Sequence, residues 1–203
     1  QEIPSCSNTG NAFIRFRPNQ ISPYIYCTSS NAIKEFTVAP NVAPTEEQSW
    51  ALENNSILLD VVILDGDIAG DAAGDDVPVF LWYSQGNLYV SRNGTAAQTL
   101  VTTEFDYNDV TDFAALTYTG DGEIQVVYAR YRSTPDGGRY DFEVRRLLDN
   151  RVTDGLDVAS FIDQSPRNSI RPGFGLFSDN FTADLVYFNL EQGDGPAVDQ
   201  FYR

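Results

Sequence analysis

Period two dominates the hydrophobic pattern of this chain. From Arg139 to Leu148 it reads Arg-Tyr-Asp-Phe-Glu-Val-Arg-Arg-Leu-Leu, which sets Tyr140, Phe142 and Val144 on one face and Arg139, Asp141, Glu143 and Arg145 on the other. That alternation specifies a half-buried strand. The run Glu123 to Arg132 precedes it across Thr134-Pro135-Asp136-Gly137-Gly138, so the two runs predict a hairpin. Matching the apolar faces requires opposed residue numbers to sum to an odd value, and a sum of 271 sets Arg130 against Asp141.

Further strands are expected at Ala12 to Arg17, Pro23 to Thr28, Ile33 to Val38, Ser56 to Leu64, Val77 to Ser84 and Asn87 to Arg92. Others follow at Gln98 to Glu104, Phe113 to Thr119, Arg171 to Ser178 and Thr182 to Glu191. Gln85-Gly86, Asn93-Gly94, Gly120-Asp121-Gly122 and Asp179-Asn180 separate them with turn chemistry. Ser56 to Leu64 is apolar on both faces, broken only by Asp60, and is expected at the centre of a sheet. Helical signal is confined to a capping pattern at Thr45-Glu46-Glu47-Gln48, opening a short helix through Leu52, and to one turn over Asp157 to Ile162. The expected fold is all-β: a two-sheet antiparallel sandwich of jelly-roll type in one domain, residues 1–203, with at most one or two short helices.

Composition narrows the function. The 203 residues contain no His, which removes imidazole-based catalysis and His-ligated metal sites. A net charge of −16 argues against a nucleic-acid partner, because a phosphate backbone needs a basic footprint. No apolar run is long enough for a membrane-spanning helix. The first residue is Gln rather than Met, which is read as a terminus left by signal-peptide removal and hence a secreted, extracellular protein. Cys6 and Cys27 are the only cysteines, and they are expected to form one disulfide, in keeping with that compartment. Asn54, Asn93 and Asn180 each open a glycosylation triplet.

Three segments carry possible chemistry. Asp65-Gly66-Asp67-Ile68-Ala69-Gly70-Asp71-Ala72-Ala73-Gly74-Asp75-Asp76 supplies the carboxylates a calcium ion needs, with Asp65, Asp67, Asp71, Asp75 and Asp76 as ligands. A solvated hairpin tip is the other reading of the same segment. Glu104-Phe105-Asp106-Tyr107-Asn108-Asp109 sets carboxylates alternately, as in glycoside hydrolysis, but Asp109 stands where those enzymes have a final Glu, and an acidic strand end running into a turn is the favoured reading. The third segment is basic. Residues 1–129 hold four basic and 17 acidic side chains, whereas 130–203 hold nine and 12, and eight of the 13 cations fall between 130 and 171. Arg130, Arg132, Arg139 and Arg145 are candidates for an anionic ligand, set against ordinary pairing with nearby acids. Tyr128 with Arg130 and Arg132 also fits the base and charge-neutralising groups of a polysaccharide lyase. Trp50 and Trp82 are either sugar-stacking platforms or core residues.

Pro172-Gly173-Phe174-Gly175-Leu176-Phe177-Ser178, followed by Ala183-Asp184-Leu185-Val186-Tyr187-Phe188, resembles the closing strand pair of concanavalin A-like (laminin G-like) jelly rolls. The resemblance covers about 20 residues and implies a curved sandwich of a kind that hosts lectins, carbohydrate-binding modules, glycosidases, lyases and adhesion modules. Together these features point to a non-catalytic extracellular structural or adhesive subunit, partnered by copies of itself or by an extracellular glycan. Ala12 to Arg17 or Val198 to Arg203 is the candidate docking strand. A carbohydrate-binding module or polysaccharide-active enzyme is the alternative.

Overall fold

The computed structural model describes residues 6, 11–17, 20–29, 31–65, 76–92, 98–107, 112–118, 124–134, 137–148, 151–152, 156–163, 173–178 and 183–188. Side chains are described for these residues except 113, 117–118, 131–134, 137–142, 148, 151 and those beyond 152. Fifteen strands occur among them: β1 (Ala12–Phe16), β2 (Pro23–Ser29), β3 (Ala32–Thr37), β4 (Thr45–Ala51), β5 (Ile57–Leu64), β6 (Val77–Ser84), β7 (Asn87–Arg92), β8 (Thr99–Thr103), β9 (Phe113–Tyr118), β10 (Ile124–Thr134), β11 (Gly137–Leu148), β12 (Arg151–Val152), β13 (Leu156–Asp163), β14 (Gly173–Ser178) and β15 (Ala183–Phe188). The described residues form no helix, and the strand pairings described among them are antiparallel. The chain divides into two compact units, residues 1–105 with 147–152, and residues 106–146 with 153–203.

The first unit holds two four-stranded sheets, ordered β1-β2-β3-β4 and β5-β6-β7-β8. Tyr26 and Ile33 of one sheet and Leu58, Val61, Ile63, Phe80 and Trp82 of the other form a single buried cluster. Phe13, Tyr24, Trp50, Leu52 and Tyr89 pack against it, so the arrangement is sandwich-like. The core is rich in aromatics: Trp50 lies 4.7 Å from Phe80, and Trp82 stacks on Tyr89 at 5.7 Å. Cys6 and Cys27 form the expected disulfide, which holds residue 6 to β2, the partner of β1.

The helix expected from Thr45 is instead strand β4. Its Trp50 lies opposite Ile33 and reaches the core, and that burial outweighs a capping pattern with no amphipathic helix behind it. Glu47 is the extra residue of a bulge where Glu35 faces Gln48 and Phe36 faces Glu46. The centre of the second sheet also differs from expectation. Strand β5 lies at the edge, while all eight residues of β6 are buried between β5 and β7. Pro78 of β6 faces Ile63 of β5, and among the described residues the register with β7 runs from Val79 opposite Arg92.

In the second unit β9, β10, β11 and β13 are hydrogen-bonded in that order. The pairing of β10 with β11 realises the expected hairpin. The single helical turn expected over Asp157 to Ile162 is replaced by β13, whose pairing along β11 gives its backbone groups partners that one isolated turn lacks. Strands β14 and β15 pair in register from Gly173 opposite Phe188 to Ser178 opposite Ala183.

Candidate functional site

The most concentrated polar constellation lies on β10 and β11. Alternation sets Tyr128 and Arg130 on one face of β10 and Glu143 and Arg145 on the facing side of β11. The buried Tyr128 hydroxyl donates to Glu143 Oε2, and Arg130 Nη2 donates to Glu143 Oε1. Arg145 Nε donates to the Tyr128 oxygen at 3.0 Å. The two guanidinium carbons lie 5.7 and 5.8 Å from the Tyr128 ring centroid. Burial, reinforced by the bond to Glu143, pushes the Tyr128 phenol up to about 12. Burial by itself would raise the Glu143 carboxyl; the Tyr128 hydroxyl and the two arginines outweigh it and hold the group below the usual carboxylate range. A phenol so held is the reverse of what a general base near neutral pH requires, which counts against the lyase reading of Tyr128. Arg132 and Arg139 occupy β10 and β11, and their side chains lie outside the described residues.

A second polar constellation lies in the first unit and escaped the sequence reading. Arg15 donates to Asp60 Oδ1 at 2.7 Å and to the Val61 carbonyl, while Asn11 Nδ2 donates to the Leu58 carbonyl at 3.1 Å. These side chains supply donors to β5, the edge strand that Asp60 interrupts. Arg17 Nη2 contacts both oxygens of the buried Glu35 at 2.9 Å and stacks 4.2 Å from the Tyr24 ring centroid. Tyr26 lies opposite Glu35, and its burial, with Glu35 beside it, pushes the phenol well above its ordinary range. The available signals were Asp60 in an apolar run and Glu35 between Ile33 and Phe36.

With Phe13, Arg15 and Arg17 turned to the interior, the outer face of β1 presents Ile14 at 59% exposure and Phe16 at 60%, and the nearby Ile21 is 96% exposed. Strand β1 is a member of its own sheet, paired with β2 from Ala12 opposite Cys27 to Phe16 opposite Pro23. Val198 to Arg203 lie outside the described residues.

Asp65 follows β5 and Asp76 precedes β6, and the register Leu64 opposite Val77 brings them to the mouth of one hairpin. Asp67, Asp71 and Asp75 lie outside the described residues, and among the described residues no three acidic or Cys side chains gather into a metal-binding group. Glu104 adopts a left-handed φ of 62° just past the end of β8, so Glu104 and Asp106 do not share a strand face as a glycosidase pair would. Asp106 instead receives its backbone order from Asp112, whose Oδ2 accepts the Asp106 N–H at 2.7 Å. Trp82 is buried in the core and the partly buried Trp50 packs against it. Asn54 is exposed in the turn before β5, whereas Asn93 and Asn180 lie outside the described residues.

No family model, no curated protein and no solved structure matches the chain. No helix among the described residues is long and apolar enough to cross a membrane.

Proposed function

We propose that the chain is a non-catalytic structural or adhesive module of the extracellular space that associates with further copies of itself through the outer face of β1. The observation that carries this reading is the exposed row of Ile14 and Phe16, with Ile21 beyond it. Full burial of an isoleucine or phenylalanine side chain contributes about 1.5–3 kcal/mol, so covering this patch is a substantial driving force for a small interface. Residues 12–17 include no acidic side chain, and Arg15 and Arg17 are paired with Asp60 and Glu35, so the patch itself presents no unpaired negative charge to an approaching copy. The side chains of Asn11 and Arg15 already fill the flank of β1 toward β5, which favours association through its face over strand exchange. The disulfide supports the extracellular setting. The resemblance of residues 172–188 to a closing strand pair carries the proposal of a jelly roll of the concanavalin A-like kind, and the acidic segment 65–76 is proposed as its calcium loop.

Sedimentation velocity of the full chain over rising concentration, with and without calcium, tests the association. The expected result is concentration-dependent growth that the double variant Ile14→Ser, Phe16→Ser weakens at least tenfold while its circular dichroism stays unchanged. A chain that stays monomeric throughout overturns the reading in favour of a carbohydrate-binding module.

A further inference from the structure

One end of the first sheet is apolar and carries no charge. The registers Phe16 opposite Pro23, Tyr24 opposite Thr37 and Thr37 opposite Thr45 send the β1–β2 and β3–β4 connections out of the same end of that sheet. Residues 18–25 and 36–45 contain no charged side chain, in a chain of net charge −16. Ile21 is 96% exposed in the first connection and Val42 is 54% exposed in the second, beside the exposed Ala39, Pro40 and Ala43. Backbone bonds hold both connections: Gln20 N–H donates to the Arg17 carbonyl at 3.1 Å, and Val42 N–H donates to the Ala39 carbonyl at 3.3 Å. Pro40 followed by Asn41 at a φ of 61° is the pattern of a type II turn, whose third residue is glycine or asparagine because φ is positive there. The charges nearest these tips are already met. Arg17 pairs with Glu35, Lys34 pairs with Glu46, and Glu47 accepts from the Thr37 hydroxyl.

We propose that this end of the first unit makes a peripheral contact with a neutral lipid bilayer, inserting Ile21 and Val42 into its interfacial region. A side chain as exposed as Ile21 projects from its surroundings instead of lining a groove. A folded partner would need a matching pocket to bury it, whereas lipid closes around whatever projects. With no charge on either tip, no ion pair selects the partner, and what remains is apolar area, the quantity on which interfacial binding depends. Isoleucine and valine are stiff at χ1, so little rotamer freedom is lost on insertion. The acidic remainder of the chain fixes the kind of membrane, because an anionic surface would repel it. The inference takes Ile21 with Val42 rather than with the β1 row, and it does not depend on association of copies.

Flotation of the full chain with phosphatidylcholine vesicles tests it. Wild type is expected to float with these vesicles to an extent that added salt does not reduce, and to float less at low salt with vesicles that also contain phosphatidylserine. The double variant Ile21→Ser, Val42→Ser should bind at least tenfold more weakly with an unchanged melting curve, since both side chains are exposed. The variant Ile14→Ser, Phe16→Ser should bind vesicles as wild type does, which separates this contact from association through β1. In Val42→Trp, the added fluorescence should shift to shorter wavelength when phosphatidylcholine vesicles are added. Absence of flotation at millimolar phosphatidylcholine, equal flotation of wild type and tip variant, an unshifted Val42→Trp emission, or binding that requires phosphatidylserine and fades with salt overturns the proposal. A tip variant that loses association between copies while keeping its hold on vesicles overturns it as well.

Discussion

Glu143 is nearly shielded from water, yet it receives the Tyr128 hydroxyl and the Arg130 guanidinium, with Arg145 at 3.5 Å. Removing one partner of such a group costs more than the interaction contributes in isolation, because a desolvated charge is left behind. The two titrating groups make opposite predictions about pH. Glu143 holds its proton more weakly in the folded protein than when unfolded, so its contribution is present above the ordinary carboxylate range and is lost as pH falls below it. Tyr128 holds its proton more tightly, so its contribution is present below pH 10 and is lost as pH rises from about 10 to about 12, an effect on the order of 2 kcal/mol. Thermal unfolding followed across pH should therefore show Glu143→Gln with a shallower acid limb than wild type and Tyr128→Phe with a shallower alkaline limb. Parallel limbs in wild type and variants would contradict these assignments.

At the scale of elements, the sandwich-like unit is closed by devices at its edges. The edge strand β5 takes side-chain donors from Asn11 and Arg15, and β1 is tied through β2 to the Cys6–Cys27 bridge. Cross-linking residues 21 apart removes unfolded-chain entropy worth roughly 3 kcal/mol. The double variant Cys6→Ala, Cys27→Ala should lose about that much in urea unfolding. Mass spectrometry of the native protein should find no free thiol; two free thiols would refute the bridge.

For the whole molecule the unresolved balance is electrostatic. A net charge of −16 opposes compaction and association alike, and Asp65 and Asp76 concentrate negative charge at one hairpin mouth. A cation bound only by the folded chain stabilises it by mass action, about 2.7 kcal/mol at one hundred times its dissociation constant. Millimolar calcium is therefore expected to raise the melting temperature, and Asp65→Asn with Asp76→Asn to remove most of that rise. Equal shifts in wild type and variant would mean that the effect is general screening of charge.

What the sequence determined by itself was local. Alternation marked the β10–β11 hairpin and placed Tyr128 and Arg130 on the face they share with Glu143 and Arg145, and two cysteines allowed a single intramolecular pairing. Tertiary structure decided what lies over each face and beside each edge. A two-sided apolar pattern could not tell β5 from a central strand, because that depends on whether a further strand arrives, and Arg15 rather than a strand meets Asp60, 45 residues away. Thr45 to Ala51 became a strand because Trp50 meets Ile33 and Phe80, contacts absent from its own helical signal. Periodicity reports the geometry of one segment; burial and charge pairing depend on which distant segments the fold brings against it.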